Sequence, residues 1–554
     1  MRWLATFCLG RSRWSLKGRA SIPGKGRPLA LRTSPNCRQP YLLPQAVERA
    51  AARYPQTVAL EAQGRCYTYA ELERASRCWA QRLRAAGCGA GARVGVWMPK
   101  SAAAVAALLG VLRAEAVYVP LDSWSPPARI AALARDCGLS GLCADGERAE
   151  AAQGWERPPA LFLSADAELG GSAGAETPAQ LPSPTRTSDD LAYLLYTSGS
   201  TAAPKGVMHT HAHALNFIAW AGAEAGLGPG DRVASHAPFH FDLSIFDLWA
   251  SLSRGAQVCL LDPVSARFGR AVAEWVVERG ITVWYSVPSA LVQLLPHAAA
   301  LAGNRLRAVI FAGEVFPPGA LATWRELLPG AEFHNWYGPT ETNVCTYFRL
   351  PVGAPPQPLP LGSACPNFEL TVRDEGEQPV AAGETGYLWA RGPGILAGYW
   401  GDAERSAQVT RLWPAAGGEP APRQRWYNTG DLAHQEGGLY YFHGRRDQVV
   451  KCRGYRVSLL EVEAALLACA GVVQAAVLAL PEAAAAERLA AFVVPDAAGV
   501  SEAELRRRLG ERLPAYMIPD AIEVATTLPL TSSGKVDRQR LQQKARPAAA
   551  APPA

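Results

Sequence analysis

The chain has 554 residues, 49% of them hydrophobic and 19% charged, a balance that excludes a disordered chain and implies a large packed core. Its net charge of +6 sits at one end: residues 1–40 carry nine Lys/Arg and no Asp/Glu, leaving 46 basic against 49 acidic residues beyond them, so no nucleic-acid footprint is indicated. Twelve cysteines form no C-x-x-C and no His/Cys cluster, which argues against a zinc site or a disulfide framework and for a cytoplasmic setting.

Residues 1–40 read as a disordered basic leader or a start codon placed too early, with an organelle transit peptide as the alternative. From Tyr41 the pattern becomes globular, and Pro44–Tyr54 has helical spacing. Arg65–Leu72 predicts a strand turning into a helix capped by Thr68, with Glu71 three residues on. Strand 93–98, helix 102–112 and strand 117–121 then alternate, which argues for βαβ units and parallel sheet. The apolar run 102–121 is broken by Arg113 and Glu115, so no membrane span is expected. Residues 165–189 are rich in Ala, Gly, Ser and Pro and suggest a surface linker.

The stretch 194–206 organises the chain. A buried strand, Leu191–Tyr196, runs into Thr197, Ser198, Gly199, Ser200 and Thr201, and Pro204, Lys205 and Gly206 follow. Small residues let backbone N–H groups approach an anion, hydroxyls add donors, and Lys205 adds a compact positive charge. The natural partner is a polyphosphate. A plain Ser/Gly-rich surface loop is the alternative, and no Ser or Thr follows the Lys as a P-loop requires. Further on, Phe239–Trp249 opens a helix predicted to reach Gly255, a C′ residue. A helix over 270–279 stops at Gly280. Strands 281–286, 306–312 and 332–337 follow, and ligands collect at the carboxyl ends of such strands. After about residue 360 the pattern turns β-rich with short Gly turns, and 411–426 reads as an irregular loop. A small α+β unit with helices at 459–468 and 501–513 closes the chain.

Eight ordered stretches carry a family likeness: Tyr67–Leu72, Tyr118–Leu121, the Thr197–Gly206 loop, Asn335–Thr342, Gly398–Trp400, Tyr427–Asp431, Gly444–Arg456 and Leu528–Arg538. Over about residues 44–540 they resemble the adenylate-forming superfamily, and within it the amino-acid adenylation domains of non-ribosomal peptide synthesis. The resemblance implies an α/β fold. A large N-terminal adenylation core, 41–446, would hold two α/β sheet subdomains and a β-barrel-like subdomain. A small mobile α+β C-terminal domain, 447–540, and a low-complexity tail, 541–554, would follow.

The resemblance also implies roles. Thr197, Ser198, Gly199, Ser200, Thr201 and Lys205 would hold the ATP phosphates, Thr340 would contact phosphate, and Glu341 would hold Mg²⁺. Asp431 would accept from the ribose hydroxyls with Arg445 beside it, and Tyr337 would flank the adenine. His240 resembles the gate near the reacting carboxylate. Asp447 matches the hinge, and Lys535 matches the lysine that bridges substrate carboxylate and α-phosphate. A carboxylate attacking phosphorus brings like charges together, so positive charge already in place is what the chemistry needs. Four departures stand out: Ala202 replaces a Gly in the phosphate loop, Ala114-Glu115-Ala116 replaces a Gly pair, Val449 replaces Gln and Ser458 replaces Glu.

Asp242 decides the substrate class. It reads either as a helix N-cap or, by the resemblance, as the carboxylate that faces an α-ammonium. The matched pocket is Asp242, Leu243, Phe246, Tyr285, Ile310, Ala312, Trp336, Val344 and Cys345. Asp242 is its only charge, and a charged substrate side chain would be stranded there. The bulky aromatics leave little volume and resemble those of free-standing prolyl ligases. L-Proline is therefore favoured, with alanine, glycine or another small amino acid next. No carrier segment follows Lys535, so a separate phosphopantetheinylated carrier protein is the expected thiol partner. The rivals are an acyl-CoA ligase of the same superfamily and a degenerate relative that binds without catalysis.

Overall fold

A computed structural model describes residues 39–156, 158–163, 181–197, 204–414, 423–445, 449–452, 454–481, 487–496, 499–529, 536 and 538–545. Ser198, Gly199, Ser200, Thr201, Ala202, Asp447 and Lys535 lie outside them, as do the leader up to residue 38 and the tail from 546.

Among the described residues two large sheets carry the fold. The seven-stranded sheet is parallel through Leu191–Thr197, Val117–Pro120, Arg93–Trp97, Gly141–Ala144 and Ala160–Leu163, and Lys205–Thr210 closes back antiparallel on Leu191–Thr197. The connecting helix Ala102–Arg113 is apolar on all sides and buried at every residue but one, as a helix enclosed on every side must be. Its Gly110 meets the helix Tyr69–Ala85 so closely that a Cβ would stand 2.3 Å from Trp79 Cβ. That second helix starts as its sequence predicts: Thr68 accepts from the Glu71 N–H, and Glu71 reaches back to the Thr68 N–H.

The Gly pair replaced at 114–116 has a visible consequence. Glu115 adopts a left-handed φ of 66°, where a side chain is strained. Its carboxylate compensates by accepting from Thr185 N (2.7 Å), Thr185 Oγ1 (2.6 Å), Arg186 N (3.1 Å) and Arg84 (2.9 Å). The departure thus pins the segment that enters the Leu191–Thr197 strand.

The nine-stranded sheet runs in parallel through Arg232–Ser235, Val283–Ser286, Ala308–Ala312 and Glu332–Tyr337, with antiparallel strands at both edges. Side chains alternate across a strand, so the register decides which residues meet. Tyr285 lies beside Ile310, and Ala312 beside Trp336. These four join one core cluster, while Trp284, Val309, Phe311 and Phe333 join a second cluster on the other face.

Two expectations need correction. The helix after Phe239 is not a regular α-helix: Ile245–Ala250 is π-helical and only Ser251–Ser253 continues as α. Apolar spacing does not reveal such a bulge, which inserts one extra residue per turn and often marks functional sites. Residues 411–426 are also not simply a loop. Thr410–Pro414 and the start of Arg423–Glu436 pair as antiparallel strands, with Arg411 opposite Trp426. Trp413 lies between Trp389 (4.6 Å) and Trp426 (5.8 Å), so aromatic packing fixes strands that Pro and Gly seemed to forbid. With Glu369–Arg373, Gly386–Arg391 and Leu439–Arg445 they form a five-stranded antiparallel sheet.

The end of the chain folds on a three-stranded sheet, Val472–Pro481, Glu487–Pro495 and Ala521–Val524. One face packs on the helices Leu459–Leu467 and Glu502–Gly510, and the other holds Leu528, Val536 and Leu541. A hairpin, Val449–Cys452 with Tyr455–Ser458, precedes it, and Ser458 caps the first helix at Glu461 N. Among the described residues no helix is long and apolar enough to cross a membrane.

Candidate active site

Three groups of residues make up the candidate site. The first carries Lys205, 8% exposed at the start of its strand. Its Nζ donates to Glu341 Oε1 at 2.6 Å and to the Tyr399 hydroxyl at 2.8 Å, and that hydroxyl donates to the same Oε1 at 2.8 Å. Arg456 reaches Glu341 Oε2 at 3.0 Å from the C-terminal hairpin. Glu341 is fully buried. Burial alone would raise its pKa, but Arg456 and Lys205 outweigh burial and hold the carboxyl well below the usual range. Burial pushes Lys205 down to about 8, with Glu341 opposing. One carboxylate between two cations leaves this dry corner net positive, the condition for collecting an anion. Thr197 ends the neighbouring strand, and its Oγ1 is buried without a hydrogen-bond partner among the described residues. Thr340 precedes Glu341 and is half-buried.

The second group joins Tyr337, at the end of the strand Glu332–Tyr337, to Asp431 within the strand Arg423–Glu436. The Tyr337 hydroxyl donates to Asp431 Oδ2, and Arg445 Nη1 donates to Oδ1 at 2.5 Å. Antiparallel register sets Asp431 opposite Arg445, and Asp431 is 2% exposed.

The third region holds the residues expected to line the substrate pocket. Phe246, Tyr285 and Trp336 stand edge to face, with ring centroids at 5.2–5.5 Å. All three are buried, as are Leu243, Ile310, Ala312, Val344 and Cys345. Asp242 is half-buried at the mouth of the helix. Burial pushes the Tyr193 and Tyr285 phenols well up, and the Asp242 charge adds to both. A second carboxylate, Asp247, is fully buried behind this wall, facing the charge of Lys100. Burial pushes that lysine down to about 7. His240 is edge-on to Phe241 at 5.1 Å, and its Nε2 is buried without a partner among the described residues.

The small unit closes on this site. Tyr455 packs edge-on against Phe241 at 4.8 Å. Glu314 accepts from Ser289 N (2.8 Å) and from Gly454 N (2.5 Å). Gly454 has φ +82°, and a Cβ there would stand 2.7 Å from Val287. Arg129 donates to Glu461 Oε1 at 2.6 Å. Of these residues the sequence alone points to no role for Tyr399, Arg456, Glu314, Arg129, Glu461, Lys100 or Asp247. Tyr399 and Arg456 sat inside matched motifs, and that was the available signal. The pair Arg129–Glu461 is 332 residues apart in sequence and had none.

The chain belongs to the AMP-binding enzyme family: the model of the AMP-binding enzyme matches residues 47–400, and that of its C-terminal domain matches 461–535. Within that family it is 36% identical over 511 residues to the L-proline--[L-prolyl-carrier protein] ligase of Pseudomonas fluorescens, covering 91% of this chain and 99% of that protein. The protein of the same name from Streptomyces coelicolor is 38% identical over 514 residues, covering 88% and 93%. Among solved structures, an artificially fused adenylation–PCP di-domain from Klebsiella oxytoca, NpsA-ThdA, shares the fold with a TM-score of 0.74 at 24% identity, covering 88% and 94%.

Proposed function

We propose that this chain is an amino-acid–carrier-protein ligase that activates L-proline with ATP. A carboxylate oxygen of proline attacks the α-phosphorus, and the bond to pyrophosphate breaks. The thiol of a phosphopantetheinylated carrier protein then loses its proton and attacks the acyl carbon, and AMP leaves. What supports the amino-acid reading is the 36–38% identity to the two L-proline--[L-prolyl-carrier protein] ligases together with the edge-to-face cluster of Phe246, Tyr285 and Trp336, with Asp242 half-buried at the start of the helix that carries Phe246. An α-ammonium there would meet an anion on one side and aromatic faces on the other.

In this reading Thr197, Ser198, Gly199, Ser200, Thr201, Lys205 and Thr340 hold the phosphates. Asp431 accepts from the ribose, with Arg445 and Tyr337 fixing its carboxylate. His240 gates the approach to the reacting carboxylate, and Leu243, Phe246, Ile310, Ala312, Trp336, Val344 and Cys345 shape the ring site. Glu341 would hold Mg²⁺ once Arg456 withdraws from its carboxylate, since hard dications take oxygen ligands. When bound, Mg²⁺ would offset charge on the phosphates.

Lys535 steers the substrate carboxylate onto phosphorus. Its described neighbour Val536 packs on the face of the small sheet opposite the helix Leu459–Leu467, whose Glu461 meets Arg129. In this reading the contacts seen here are those of transfer, and for activation the small unit turns about Asp447, withdrawing Arg456 from Glu341 as it does so. ATP–pyrophosphate exchange over the twenty amino acids tests the proposal. Proline should give the strongest exchange, and mass measurement should find prolyl groups on a carrier protein. Strongest exchange with a charged or large aromatic acid, or acyl-CoA formation without carrier loading, overturns it.

A further inference from the structure

We propose that His209 is a positioning residue for the phosphates of ATP, holding the Thr340–Glu341 peptide at the orientation the nucleotide meets. The proposal rests on the adenylating function argued above. His209 lies four residues past Lys205 on the strand Lys205–Thr210, so alternation puts both side chains on one face. Both grip the same loop at consecutive residues: Lys205 Nζ at Glu341 Oε1 (2.6 Å) and His209 Nε2 at the Thr340 carbonyl (2.9 Å). A carbonyl only accepts, so Nε2 carries the proton.

The ring has little freedom. It is 2% exposed, stacked on Tyr193 at 5.1 Å from the paired strand, and met edge-on by His213 at 5.8 Å. The loop it holds is tight. Asn343 has a left-handed φ of 60°, and a Cβ on Gly338 would stand 2.4 Å from Asn343 O. The flanking carbonyls have backbone partners, Thr342 N at Pro339 O (2.9 Å) and Leu396 N at Glu341 O (2.7 Å). Among the described residues the one backbone donor at Thr340 O is Asn343 N at 3.4 Å, and His209 makes the short bond. Because the peptide is planar, fixing that carbonyl fixes the N–H of Glu341 and the exit of its side chain. An apolar residue would fill the same buried space, and an imidazole there brings one thing more, the donor.

The test compares native protein, His209→Phe and His209→Gln, with His209→Asn as a donor too short to reach. The readouts are pyrophosphate exchange and calorimetric binding of a non-hydrolysable ATP analogue. His209→Phe should raise the KM for ATP by about tenfold, the effect of one unsatisfied buried acceptor, with the KM for proline unchanged. His209→Asn should match it, and His209→Gln should recover most of the loss. An ATP KM within about twofold of native in His209→Phe, or a Gln variant no better than Asn, overturns the role. Parallel rises in both KM values overturn it too, since they mean general loosening. If native protein neither binds the analogue nor exchanges, the adenylating function itself falls and takes this role with it.

Discussion

Phe246→Ala tests the pocket at its floor. The ring is fully buried and lies edge-on to both Tyr285 (5.4 Å) and Trp336 (5.5 Å). Deleting it leaves a cavity, at about 3–5 kcal/mol for a buried Phe→Ala, of which roughly 0.5–1.5 kcal/mol per lost ring pair is specific geometry. The same cavity admits a larger substrate side chain, and each methylene that gains contact is worth about 1–3 kcal/mol in discrimination. Pyrophosphate exchange over the twenty amino acids, run below the variant's melting temperature, should show proline falling by at least about tenfold. Leucine or phenylalanine should rise above the native background. Unchanged proline exchange, with no gain for any larger acid, would show that Phe246 is ordinary core and that the pocket lies elsewhere.

Three further outcomes follow from the same geometry. Glu115→Gly removes a left-handed strain of about 1–2 kcal/mol but also four hydrogen bonds to a carboxylate, each worth about 1.5–3 kcal/mol; urea denaturation should show net destabilisation, and a gain in stability would mean that strain dominates. Arg129→Ala leaves Glu461, 4% exposed at its side chain, without its charge partner; at about 3–5 kcal/mol for a broken buried pair, transfer to the carrier should slow while pyrophosphate exchange is spared, and equal loss of both would refute a role confined to this orientation. Burial pushes His209 and His211 down to about 4, so the unfolded chain binds protons that the native state refuses. The stabilisation is complete above pH ~6.5 and is lost as pH falls toward 4; at pH 5 the loss amounts to about 2 kcal/mol for each histidine, so a melting temperature flat from pH 7 to 5 would contradict their burial as neutral rings.

Much of this was legible in the chain. The parallel strands, the Thr68 cap and the placing of loops at strand ends follow from local periodicity and capping chemistry. Tyr285, Ile310, Ala312 and Trp336 were named together from motif positions, and the register of three adjacent strands is what unites them. What was hidden is non-local. The π-helical turn at Ile245–Ala250 keeps the apolar spacing of an α-helix over so short a run, so pattern does not expose it. The strand pairing around Trp413 overrides local Pro and Gly signals through packing between distant tryptophans. The partners of Glu341 come from residues 136, 58 and 115 positions away, and no spacing rule links them.

Cyclopentanecarboxylate has the ring and carboxylate of proline without the nitrogen, and it isolates the grip of Asp242 on the amine. Measured side by side in pyrophosphate exchange, native protein should use proline and leave the analogue idle by one to two orders of magnitude, the equivalent of about 1.5–3 kcal/mol for a hydrogen bond to a charged group. Asp242→Ala should lose its proline activity to a similar degree. Exchange with the carbocycle at a rate near that of proline, or an Asp242→Ala enzyme that still prefers proline, would contradict the account at its base.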